Sequence, residues 1–99
     1  MRFILLALAL GTATAASATE PNARTAFVER RGLLEADAQC RLFEPSIRAA
    51  LGVGLAQTRG ALLRAGWTSA NLRDLETAAV NAARSRTCSD QRTATAAAD

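Results

Sequence analysis

The sequence predicts an all-α protein: a three-helix up-down-up bundle stapled by one disulfide and preceded by a cleavable signal peptide. Three observations lead there. Apolar residues recur at helical spacing through three successive segments, about 23–42, 45–65 and 69–86. The segments are divided at Pro45 and at Gly66-Trp67, residue types that start and stop helices. Two cysteines, Cys40 and Cys88, fall near the ends of the first and third segments, which share a pole in an up-down-up arrangement.

The leader comes first. Met1-Arg2 is a short basic start, Phe3 to Leu10 an unbroken apolar run of eight, and Gly11 to Ala18 a stretch of small residues. This is the pattern of a secretory signal, with Ala16-Ser17-Ala18 as the cleavage site. The apolar run falls well short of the roughly 20 residues that span a bilayer. Ala13-Thr14-Ala15 offers a second cut slightly earlier. No cysteine follows the run and no Arg-Arg pair precedes it, which disfavours a lipid anchor and the twin-arginine route. The mature chain is expected to be Thr19 to Asp99, 81 of the 99 residues, periplasmic or secreted. That is enough for one domain with a marginal core, a helical bundle over 19–90 followed by a low-complexity tail at 91–99 that is either frayed or a helical start cut short.

The first helix is expected over about 23–42 with Asn22 as its N-cap. Leu33, Ala36, Cys40 and Phe43 make one stripe, and Phe27, Leu34 and Ala38 an adjoining one. Asp37 and Arg41 form an i, i+4 pair with the acid first. The backbone restriction before proline makes Glu44 the hinge and Pro45 the first residue of the second helix. Ile47, Leu51, Leu55, Thr58, Leu62 and Ala65 form its stripe. Gly66 closes it in a left-handed conformation, with Trp67 set to pack back on Leu62. Gly54 falls on the apolar side, where it would let another helix approach; Gly52 and Gly60 do not. Thr68 is the N-cap of the third helix, whose stripe of Leu72, Leu75, Ala79, Ala82 and Ala83 is thinned by alanine.

In an exported chain the two cysteines should join. The closed loop gives about 4 kcal/mol in the loop-entropy model. Catalytic and metal readings fare poorly. With no histidine there is no usual base for a cysteine nucleophile, and two cysteines alone do not make a zinc site. Paired carboxylates remain as an acid-base option, but Glu35 and Asp37 point to different sides of their helix, as do Asp74 and Glu76. Both pairs read as solvated surface. No enzyme activity, cofactor or metal is expected.

Removing Arg2 from the 12 arginines leaves eleven against nine carboxylates, and there is no lysine. Arg41, Arg48, Arg59, Arg64 and Arg73 are the candidates for a basic face, but acids are interleaved. Nucleic acid is therefore not expected as a partner, nor a membrane after signal cleavage. A protein partner is the expectation, with oligomeric state left open. Its contact surface is placed on the second helix and the Trp67 corner, with Arg59 and Arg64 beside it; the competing role for Trp67 is a plug at the bundle end.

The segment ERRGLLEADAQCRLFEPSIRAALGVGLAQTRGALLRAGW, continued by LRDLE and CSD, resembles a group of small exported proteins of GC-rich Gram-negative bacteria. The shared marks are an Arg-Gly start, a CxLF-x-P turn, a helix end like RGALLRAG and a late cysteine. The resemblance covers about Glu29 to Asp90 and implies no particular activity, since the group has no established function. It also implies a further helical stretch beyond Asp99. Glu44 and Ser69 stand where it leads one to expect a threonine cap and a proline, and Thr58 where it expects alanine. A looser similarity, architectural only, is to periplasmic acid-stress chaperones of the HdeA type. It implies a competing role, a chaperone that partly opens and exposes apolar surface.

Overall fold

The computed structural model describes residues 22–98. The leader, with Ala16 and Ala18 at its expected cut, lies outside them. Four helices and no strand are present among the described residues: α1 (residues 22–40), α2 (Pro45–Arg64), α3 (Ser69–Arg84) and α4 (Cys88–Ala98).

The pairs that tie the helices set their directions. Arg30 of α1 reaches Gly54 of α2 across 24 residues, whereas Asp37, later in α1, meets Arg48, only 11 residues away. Separations that shrink along α1 mean that α1 and α2 are antiparallel. Between α1 and α3 the separation stays nearly constant, 45 for Arg31–Glu76 and 49 for Glu35–Arg84, so those helices are parallel. The first three helices therefore run up, down and up.

The fourth helix corrects the expected three-helix count. Residues 91–98, expected as tail, belong to α4. Thr87 begins it: its hydroxyl accepts from the Asp90 N–H at 3.1 Å, and its carbonyl accepts from the Gln91 N–H at 3.0 Å. Buried Gln91 donates through Nε2 to the Ala83 carbonyl at 3.1 Å and so ties α4 back to the end of α3.

Other boundaries also move. Asn22 is already helical, so it is not the N-cap. The first helix stops at Cys40 and not Leu42, because Arg41 turns into the left-handed region at φ 52°. Its N–H still bonds the Asp37 carbonyl at 2.7 Å. The third helix ends at Arg84 and not Arg86, with Ser85 as C-cap and its hydroxyl donating to the Ala82 carbonyl.

The α2–α3 turn follows the expected chemistry. Gly66 sits at φ 103°, its N–H bonds the Leu63 carbonyl at 3.1 Å, and the Trp67 N–H bonds the Leu62 carbonyl at 3.0 Å. This is the paired-bond Schellman closure. The Thr68 hydroxyl then accepts from the Asn71 N–H at 3.0 Å and starts α3.

The apolar core lies at this end of the bundle. Ala23, Phe27, Leu62 and Leu72 form it, with Leu55, Ala61, Trp67 and Leu75 packed against it. Farther along, Ala36, Cys40, Ala79 and Ala83 are buried, and side chains there are small. Ala38 and Ala82, expected in apolar stripes, are exposed. Ile47 and Ala65 of the expected α2 stripe are exposed too, leaving Thr58 and Leu62 as the buried residues of that helix.

Candidate functional site

Two regions hold the residues singled out by sequence: the pole around Cys40 and the outer side of α2.

At the first, Cys40 and Cys88 are joined in a disulfide with Cα atoms 5.5 Å apart, closing a separation of 48 residues. It links the end of α1 to the start of α4. One turn upstream on α1 are two buried carboxylates, Glu35 and Asp37, which correct the reading of solvated surface. They do point to different sides. Glu35 accepts from Arg84 Nε of α3 at 3.0 Å, and on its own helix from Arg31 at 3.3 Å and Gln39 at 3.3 Å. Arg31 also donates to Glu76 of α3 at 2.8 Å. Asp37 instead faces the α1–α2 turn, where its carboxylate accepts from the Phe43 N–H at 2.7 Å and from Arg48 Nε of α2. Arg48 donates as well to the Phe43 carbonyl at 3.0 Å. The expected partner Arg41 is not the one used; the left-handed turn takes it elsewhere.

Both carboxylates are held below their ordinary pKa. For Glu35 the first cause is the hydrogen bond from Arg84, helped by Gln39 and Arg31 against the opposing pull of burial. For Asp37 the first cause is the hydrogen bond from Arg48, helped by the Phe43 N–H. Acids stabilised as anions and enclosed by arginine are poor proton donors at neutral pH. Their role here is to fix α2 and α3 on α1. Among the described residues every buried polar side-chain atom has a partner, and no group of three or more His, Cys, Asp or Glu is placed to hold a metal.

The outer side of α2 is different in kind. Among the described residues, the exposed large apolar side chains are Ile47, Val53 and Leu63, all on this helix, at 47, 60 and 42% exposure. An open groove of about 610 Å³ runs along its first half between Arg30 and residues such as Ile47, Ala50, Leu51 and Val53. Apolar residues are spread round α2, so one side meets the bundle and another meets solvent. Arg59 and Arg64 are exposed on its second half. Neither enters an ion pair among the described residues. Trp67 is half-buried and packs on the core beside Leu62. The structure thus places Arg59 and Arg64 on different sides of the second half of α2 and seats Trp67 at the bundle end.

Gly54 is the point where α1 meets α2. A Cβ there would stand 2.9 Å from Arg30 Nε, and the Arg30 guanidinium donates to the Gly54 carbonyl at 3.1 Å. Gly52 has nothing within 4 Å of a Cβ. Sequence reasoning distinguished these two glycines by face, but not the arginine that occupies the space. No helix of the described residues is long and apolar enough to cross a membrane. Comparison of the chain with known protein families, curated proteins and solved structures finds no match.

Proposed function

We propose that this chain is an exported helical domain, periplasmic or secreted, that acts by protein contact through the outer side of α2 and not by catalysis. The observation that carries the reading is the exposure of Ile47, Val53 and Leu63 on one helix, while the other large apolar side chains among the described residues are at least half-buried. Val53 and Leu63 share a helix face with exposed Ala49 and Ala56, while Ile47 is exposed on another face, and a contiguous exposed apolar patch marks an interaction site. The disulfide accords with an oxidising compartment, and the resemblance of Glu29 to Asp90 to small exported proteins points the same way.

A photo-crosslinking residue placed at Val53, with a control at Asn71 on the exposed side of α3, tests the reading in cells. A discrete adduct at Val53 alone is expected. Equal labelling at the two positions, or none at either, refutes contact through α2. Export has its own test: intact mass of the purified periplasmic protein should start at Thr19 and show no free thiol.

The buried carboxylates favour one second reading, the acid-responsive chaperone. Protonating Glu35 and Asp37 would loosen α3 and α2 from α1 and uncover apolar surface. Circular dichroism and dye binding down to about pH 2, with the disulfide intact, separate the readings. An unchanged monomeric bundle removes the chaperone.

A further inference from the structure

We infer that the outer face of α2 receives a partner helix that carries carboxylates beside an apolar stripe. The inference rests on the contact reading above and specifies the partner's chemistry. Positions 49, 53, 56, 60 and 63 line up along the helix, and they hold Ala49, Val53, Ala56, Gly60 and Leu63. Val53 and Leu63 are 60 and 42% exposed, and Ala49 and Ala56 are exposed as well. This face is apolar but shallow, so a second helix can lie close along it. It also lacks the bulky anchors by which interfacial helices enter lipid: α2 contains no Phe, Trp or Tyr.

Charge selects among the remaining occupants. The helix carries Arg48, Arg59 and Arg64 and no carboxylate. Arg48 is engaged by Asp37. Arg59 and Arg64 border the stripe on opposite sides, without a partner among the described ion pairs. The Arg64 guanidinium leans over Gly60, its Nη1 3.1 Å from where a Cβ would stand, which keeps this cation at the edge of the stripe. Two copies joined by this face would set arginine against arginine. A helix flanked by Glu or Asp would pair both.

The test titrates the disulfide-intact protein against a labelled helix-forming peptide with an Ala/Leu stripe flanked by glutamates, and against the same peptide flanked by lysines. Fluorescence anisotropy at low salt should give about tenfold tighter binding of the glutamate peptide, the effect of two partly exposed charge pairs. The R59E/R64E double variant, checked for fold by circular dichroism, should reverse the preference. Equal affinities, no binding of either peptide, or a preference that R59E/R64E leaves unmoved overturns the inference. So does a concentration-dependent dimer in sedimentation velocity that V53D abolishes, which assigns the face to a second copy. Binding to phosphatidylglycerol vesicles but to neither peptide assigns it to lipid and overturns it equally. Cross-linking at Val53 that persists without a charge preference refutes the acidic partner and leaves protein contact through α2 standing.

Discussion

Replacing Asp37 should destabilise the protein more than any other single change to a charged side chain. Its side chain is 2% exposed and secures the turn into α2, where the N-cap Glu44 makes no side-chain cap bond. One oxygen accepts from the Phe43 N–H at 2.7 Å and the other from Arg48. A hydrogen bond to a buried charged group contributes about 1.5–3 kcal/mol. The Arg48 end is 45% exposed, so solvent screening leaves it only a small addition to that. Asp37→Ala should therefore cost about 3 kcal/mol. Asp37→Asn keeps an acceptor for Phe43 and should cost about half as much. Urea unfolding followed by far-UV circular dichroism, at neutral pH with the disulfide intact, reads both. With a slope of about 1 kcal/mol per molar for a domain this small, the alanine midpoint should fall by about 3 M. The sign with pH is fixed by the lowered pKa of Asp37. Its contribution is complete above the ordinary carboxylate range and fades as pH drops below about 4. The gap between wild type and Asp37→Asn should narrow over that window. An alanine variant within about 0.5 kcal/mol of wild type, inside the usual spread for surface changes, would sink the argument that Asp37 holds the turn.

Three further outcomes follow from the same structure. The Cys40→Ala/Cys88→Ala double variant should lose about 4 kcal/mol, close to the whole stability of a marginal domain, and a thermal melt near that of wild type would refute the staple. Gly52→Ala should stabilise by roughly 0.8–1 kcal/mol, since its Cβ meets nothing within 4 Å; Gly54→Ala should gain less or lose, because it displaces Arg30, and equal gains in chemical denaturation would contradict that difference. Leu72→Ala, at 0% exposure, should cost about 2–5 kcal/mol, whereas Val53→Ala should stay within about 0.5 kcal/mol by the same measurement.

The punctuation of the fold was legible in the sequence because it is local. Pro45, Gly66, Trp67 and Thr68 each act through their own backbone or a neighbour within a few residues, and each stands where it was expected. The disulfide was legible because the sequence holds one other cysteine, Cys88, and the helix order brings it to the same pole as Cys40. The fourth helix was not read, since Cys88–Ala98 has no large apolar side chain to mark a periodicity. Its signal was the capping pattern Thr87-x-x-Asp90, followed by alanine-rich residues. Burial of Glu35 and Asp37 was beyond sequence in another way. The arginines that make it tolerable arrive from positions 49 and 11 residues away, and local spacing says nothing of them. Arg59 and Arg64 were placed on the surface, but that neither enters an ion pair among the described residues emerges only in three dimensions.

The two ends of the bundle are held by different physics, and the division explains why the staple sits where it does. Near Trp67 the helices share Phe27, Leu62 and Leu72, the largest fully buried side chains among the described residues. Along α3 the buried residues then shrink from Leu72 to Ala79 and Ala83, and each alanine removes much of the burial a leucine provides. Where the apolar contribution thins, Glu35 fastens α3 through Arg84, Asp37 fastens the turn and α2, and the Cys40–Cys88 bond fastens α4. Charge pairs at partly exposed sites are weak one by one, so the covalent link bears most at this pole. Acidification should then unfasten the bundle from the disulfide end while the Trp67 end stays packed, with Cys40–Cys88 limiting how far it opens. Opening in the reverse order would require the leucine and phenylalanine contacts to fail before the ion pairs, and nothing in their burial gives acid a hold on them.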